Sequence, residues 1–181
     1  MKINFILTEQ DYLTHLLYSA SKTPAILKKR KRNRFLLPVL YVAVGFFGML
    51  NGKIVLFLCL VALALLWYSG FPNWEKNQYV KHYKKYIKNN LSDLSGKENV
   101  YDFRQDGIYA SEDNSEPYKI AWSEIHGLYE IPDALYLGLN SGHTIILPKQ
   151  AVPETDALKH LILENPANPD IKVVNDPDWK W

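Results

Sequence analysis

Two apolar stretches dominate the pattern of the chain: FLLPVLYVAVGFFGML over 35–50 and IVLFLCLVALALLWYSGF over 54–71, separated only by Asn51, Gly52 and Lys53. Neither contains a charged residue. At about 1.5 Å per helical residue they reach roughly 24 and 27 Å, close to a hydrocarbon core of about 30 Å. Arg34, Lys53, Trp67, Tyr68 and Trp74 stand at their ends, where polar tips extend the reach to the headgroups. The pattern predicts a helical hairpin crossing a membrane twice, since a spanning backbone must satisfy its own hydrogen bonds. Two charge-free runs this long, back to back, argue against a buried soluble hairpin.

Ahead of the hairpin, KINFILT over 2–8 reads as a strand, and Thr8-Glu9-Gln10-Asp11 has the form of a capping box. Tyr12, Leu13, Leu16, Leu17 and Ala20 form a helical stripe that Thr23-Pro24 ends, with Asp11 and His15 as a surface i,i+4 pair. Behind the hairpin, Pro72 interrupts the helix. WEKNQYVKHYKKYIKNNL then reads as a separate basic amphipathic helix with Tyr79, Tyr83, Tyr86 and Ile87 on one face. A loosened stretch over 92–99 leads into a period of two. Six strands are predicted, over 100–104, 107–111, 118–122, 125–131, 135–140 and 144–148, with turns at Asp106-Gly107, Asp113-Asn114-Ser115 and Ser141-Gly142. Leu135, Leu137 and Leu139 mark the inward face, and PETDALKHLILEN from Pro153 reads as a closing helix with Leu158, Leu161 and Ile162 inward.

The predicted class is α+β: a two-helix transmembrane hairpin plus an antiparallel sheet or barrel capped by a C-terminal helix. The segments run 1–34, 35–71, 72–97, 98–165 and a Pro/Asp-rich tail over 166–181 that is expected to begin as a linker; Trp179 and Trp181 are expected to dock on the sheet, with insertion at the interface or anchoring of a partner as alternatives.

Charge divides the chain the same way. Residues 22–88 hold thirteen Lys or Arg against the single acid Glu75, whereas residues 96–181 hold seven against fifteen acids. Lys28, Lys29, Arg30, Lys31, Arg32 and Arg34 precede the first span, and Lys81, Lys84, Lys85 and Lys88 follow the second, against Lys53 alone at the tip. The positive-inside rule therefore predicts both termini in the cytoplasm, with the basic flanks on anionic inner-leaflet lipid and not on nucleic acid. The apolar segment begins late and no small-residue cleavage site follows it, so a removable signal peptide is not expected. Cys59 is expected to pack as a small buried hydrophobe. Ala43, Gly45 and Gly48 offer a small-residue surface for a homo-oligomer.

Catalytic constellations are missing. Ser123 points away from Glu124 and His126 on a strand, His160 and Glu164 are a helical surface pair, and Asp102, Asp106 and His143 belong to hairpins. No enzyme activity, metal or cofactor is expected.

AWSEIHGLYEIPDALYLGLNSGHTIILPKQAVPETDALKHLILEN resembles the YcxB-like family of bacterial membrane proteins, with Trp122, Ser123, Ile125, Leu147, Pro148 and Lys149 in the places of the family pattern. FILTEQDYLTHLLYSASKTP, the basic run and the hairpin are similar to that family too. The resemblance implies a bacterial inner-membrane protein with a cytoplasmic pleckstrin-homology-like domain, Trp122, Ile125, Pro148 and Lys149 being structural. It implies no activity. A pleckstrin-like domain needs seven strands, so the N-terminal strand is expected to supply the seventh. The turn Arg104-Gln105-Asp106-Gly107 has one base and one acid, which argues against phosphoinositide binding there. The expected role is a non-enzymatic module for an as yet unnamed protein partner, with immunity against a membrane-acting toxin as the alternative.

Overall fold

The computed structural model describes residues 1–113, 115–167 and 171–181. Its elements are β1 (Lys2–Ile6), α1 (Glu9–Lys22), α2 (Pro24–Leu50), α3 (Ile54–Asn90), β2 (Glu98–Arg104), β3 (Gly107–Glu112), β4 (Tyr118–Ile120), β5 (Ile125–Glu130), β6 (Ala134–Leu139), β7 (Thr144–Pro148), α4 (Thr155–Leu163) and β8 (Lys172–Asn175). The protein is α+β, with two long apolar helices and two four-stranded sheets, ordered β1-β2-β3-β4 and β7-β6-β5-β8, that do not close into a barrel. Contacts divide the chain into two units, Met1–His15 with Tyr86–Lys180, and Leu16–Lys85 with Trp181.

In the sheet unit, β1 pairs antiparallel along β2 from Lys2 opposite Asp102 to Ile6 opposite Glu98. The N-terminal strand thus joins residues that follow it by almost a hundred positions. Its exit is fixed by the capping box, in which the Asp11 N–H donates to Thr8 Oγ1 at 3.3 Å and the Thr8 N–H donates to Asp11 Oδ2 at 2.8 Å. The β2–β3 hairpin turns at Gln105-Asp106 and needs glycine next, because a Cβ on Gly107 would lie 2.8 Å from the Ile120 carbonyl oxygen. Asn114, the middle of the next predicted turn, lies outside the described residues.

Three expectations are corrected here. His15 is not a surface pair partner: its ring packs edge-on to Tyr136 at 5.0 Å, and burial pushes its pKa down to about 4. The Leu135 side of β6 is not the only inward one, since Ala134 to Gly138 are all buried; β6 is central, and His15 of α1 covers the face that carries Tyr136. The predicted strand 118–122 stops at Ile120, and Trp122 opens a 3-10 turn to Glu124. Trp122 is 3% exposed, stacks near Phe103 at 6.4 Å, and its indole N–H donates to the Arg104 carbonyl at 3.0 Å.

Beyond its start the tail forms a strand. Across 168–170, which lie outside the described residues, it leads to β8, which pairs parallel with β5 from Gly127 opposite Lys172 to Glu130 opposite Asn175. The stretch KVVN is short and hemmed by Pro and Asp, so sequence pattern alone gave it no strand signal.

In the helical unit, α2 runs unbroken from Pro24 through the basic run and the first apolar stretch. Helix α3 runs unbroken through Pro72, contrary to the predicted interruption. Phe71 and Glu75 flank that proline and are both buried, so packing on either side holds the helix across the missing N–H. Gly45 and Gly48 face α3: a Cβ on Gly45 would come within 3.1 Å of Phe57, and one on Gly48 within 3.1 Å of Leu56. Gly45 and Gly48 thus serve close packing within the hairpin, whereas Ala43 is exposed. Cys59 is exposed and not buried. It lies on the outward side of α3, among apolar neighbours such as Val55, Leu58 and Leu63 that the chain leaves equally uncovered.

Two outcomes are expected for the sheet unit. Trp122→Ala should cost about 3–5 kcal/mol, a large share of a domain's stability, read as a lowered melting temperature in detergent beside Lys119→Ala. His15 takes up a proton readily only when unfolded, so stability should fall as pH drops from about 6.5 towards 4. By pH 4.5 the loss should be about 2–3 kcal/mol, and His15→Leu should flatten it. An unchanged pH slope in that variant would place His15 in solvent.

Candidate functional site

Two places gather polar side chains with a stated geometry. The first is the basic end of the hairpin. Arg30 of α2 donates from Nε to Glu75 Oε2 of α3 at 2.8 Å, with Glu75 among the few buried charged residues. The same guanidinium lies 4.3 Å from the Trp181 ring, which in turn stands 5.1 Å from Tyr79. Arg34 lies over Tyr68 at 4.1 Å, and Phe35 packs on that tyrosine at 5.5 Å. Trp181 therefore packs on the helical unit and does not dock on the sheet as expected. Trp67 turns inward on Phe71 at 5.4 Å and Trp74 at 6.1 Å, and its buried indole N–H has no partner among the described residues.

The predicted lipid-facing residues fall into two groups. Lys28, Lys29, Lys31 and Arg32 on α2 and Lys81, Lys84, Lys85 and Lys88 on α3 are exposed. Arg30 and Arg34 are half-buried and used internally. Tyr79 and Tyr83 pack 6.1 Å apart and Ile87 is buried, whereas Tyr86 is exposed and lies off the predicted face.

The second place is a cleft of about 290 Å³ in the sheet unit, between α4 and the β5–β8 ladder. Leu128, Leu163 and Val173 form its apolar walls, and Glu130, Asp156 and Lys159 its polar side. Glu130 is held by two lysines, Lys149 Nζ at 2.8 Å from Oε1 and Lys159 Nζ at 3.1 Å from Oε2. Lys159 also reaches Asp156 at 2.8 Å. Burial works against the charged form of Glu130, yet hydrogen bonds from the two lysines hold its pKa below the usual range. Lys149 thereby ties the end of β7 to the end of β5, and its N–H also donates to the Asp133 carbonyl at 2.9 Å. Pro148 pairs with Ala134 just before it, and Ile125 is fully buried at the start of β5. Sequence reasoning missed Glu130 and Lys159 because their meeting depends on α4 folding back over β5, for which no local spacing is a signal.

Other polar groups are matched locally. Asp102 pairs with Arg104 at 2.7 Å, and Asp106 accepts from Lys119 at 2.6 Å and from the Tyr109 hydroxyl at 2.7 Å. The Ser123 carbonyl accepts from Asn140 at 3.0 Å, and His160 lies 3.4 Å from Glu164 on the surface. Among the described residues no three His, Cys, Asp or Glu side chains converge in a way that would hold a metal ion.

Residues 103–162 match the model of the family described as YcxB-like protein, so the stretch from the end of β2 to the end of α4 is YcxB-like. That stretch includes Trp122, Ile125, Pro148, Lys149 and both partners of the Glu130 cluster within the sheet unit. No curated protein and no solved structure matches the chain.

Lys149→Met should remove one of the two charges on Glu130 and destabilise the sheet unit by about 1 kcal/mol at pH 7, the cluster being only partly buried. Glu130 has a depressed pKa, so this stabilisation is present above its unfolded value near 4.5 and is lost as pH falls through the lower folded value. The gap between wild type and variant should therefore close below pH 4.5; a gap that persisted there would assign Lys149 a packing role instead.

Proposed function

We propose that this is a two-span bacterial inner-membrane protein, both termini cytoplasmic, whose pleckstrin-like sheet unit is a non-enzymatic module for protein interaction. The observation that carries this reading is the uncovered hairpin. Two helices are long and apolar enough to cross a membrane, and only 11% of each apolar window is buried within the chain. A soluble chain would leave Val39, Phe46, Phe47, Val55, Leu65 and Leu66, all more than half exposed, in water. Hydrocarbon is the environment that matches them.

Topology is supported twice over. Strand β1 precedes the hairpin and pairs with β2 that follows it, so both flanks of an inserted hairpin must emerge on one face. Exposed Lys28, Lys29, Lys31, Arg32, Lys81, Lys84, Lys85 and Lys88 against Lys53 at the tip favour the cytoplasmic face. They also favour anionic lipid as the ligand of the collar. The acid-leaning sheet unit gains nothing from that lipid, which leaves its surface for protein. Seven antiparallel strands in two sheets followed by α4 support the pleckstrin-like reading. A Glu130 carboxylate neutralised by two lysines suits a binding cleft better than a general base, which needs a raised pKa.

Alkaline phosphatase fused at residue 52 should be active and fused after residue 181 inactive, with the reverse for a cytoplasmic reporter. Activity at the C-terminus with silence at residue 52 would invert the topology and remove the cytoplasmic module with it.

A further inference from the structure

We infer that the edge of β5 is a strand-docking site, filled in cis by β8 and open to an extended segment of a partner protein that displaces it. This rests on reading the sheet unit as an interaction module and names the surface. The partner segment is one with a β-branched apolar residue between polar neighbours.

The occupant on the page defines the site. β8 is four residues long and pairs in parallel, the weaker ladder, along Gly127 to Glu130. Its side chains add little: Lys172, Val173 and Asn175 are exposed, Val173 by 52%, and only Val174 is half-buried. By contrast β6 buries five consecutive residues, and β7 buries Ile145, Ile146 and Leu147. Main-chain bonds hold β8 to the edge, including the Asp176 N–H that donates to the Glu130 carbonyl at 2.8 Å. Affinity from main-chain hydrogen bonds with one side chain in a pocket is how a docked peptide binds a sheet edge.

The cleft supplies the pocket. Val173 reaches its rim opposite Leu128 and Leu163, the latter 41% exposed although it belongs to a closing helix. The flanking charges are already matched, Glu130 by Lys149 and Lys159, and Asp156 by Lys159, so an apolar side chain enters without stranding a charge. If β8 were removed, the N–H and C=O groups of Leu128 and Glu130 that face that edge would lose their strand partners. A partner strand satisfies them equally.

The test uses the full chain in detergent and a fluorescent peptide of residues 171–177, IKVVNDP. In wild type the tethered strand competes at an effective concentration of about a millimolar. In a Val173→Pro/Val174→Pro variant the Val174 donor is lost and the rigid rings break the ladder on both sides of it, which opens the edge. The peptide should bind the variant at least about tenfold tighter than wild type, and the same peptide carrying Val174→Pro, which lacks the ladder donor, should not bind. Equal binding to both proteins, no binding by a folded variant, or a variant that unfolds would each make β8 a structural strand and overturn the inference. Hydrogen exchange on the wild-type protein gives an independent reading: amides of 172–175 should exchange at least about tenfold faster than those of β6, and equal protection would overturn it. A concentration-dependent dimer that the proline variant abolishes would make the occupant a second copy and overturn the partner assignment. None of these results depends on the reporter fusions, so the docking site and the membrane topology fail separately.

Discussion

The pairing of β1 with β2 constrains everything else in this chain. Between them lie the two long helices, so the first sheet cannot form until the segment on each side of the hairpin is on the same face of whatever the hairpin enters. A single crossing would separate Ile3 from Tyr101, and with it the Phe5–Tyr101 stack at 5.8 Å. In the proposed two-span topology, the hydrogen bonding of the sheet by itself asks for an even number of crossings. The contact order is high, since the chain must hold β1 ready while some ninety residues are made. The capping box at Thr8 and Asp11 serves that end by fixing the turn out of β1 with local bonds alone.

The charge asymmetry acquires a physical meaning at one residue. Glu75 is the lone acid among thirteen bases in residues 22–88, and it is buried against Arg30. A carboxylate in that position joins α2 to α3 where the apolar packing of Gly45, Gly48 and Ala64 has given way to polar residues. Removing one partner of such a pair would leave the other charge half-buried and unmatched, which costs more than the pair contributes. Of the remaining cations, Arg34 is half-buried over Tyr68, and the lysines of the basic flanks are exposed.

What was legible in the sequence follows from how local each signal is. The capping box and the six strands between Val100 and Pro148 are set by neighbours within a few positions, and the strand bounds fall within two residues of expectation, whereas the helices that carry the charge-free runs extend well beyond them, back to Pro24 and on to Asn90. Gly45, Gly48 and His15 carry no local signal of their surroundings, because another element decides their environment. Two glycines read as an oligomer surface when only one span is considered; with α3 opposite, Phe57 and Leu56 occupy that space. His15 carries an acid four residues earlier, a surface signature, but Tyr136 comes to it from across the sheet. Pro72 was weighed by its own cost and not by the buried Phe71 and Glu75 on either side of it.

The Glu130 cluster shows the same limit from the functional side. Lys149 stood out only as part of a family pattern with a structural reading, and its Nζ joins a carboxylate from β5 that α4 also reaches through Lys159. Three elements thus meet at one side chain, and the meeting sets the rim of the cleft that β8 borders. Two cations on a single carboxylate lower its pKa and match its charge, and the ion pairs tie the three elements together at the rim. A rigid rim with matched charge, apolar walls and a main-chain edge beside it is what recognition of an extended segment requires, and the chain's own KVVN already meets those terms.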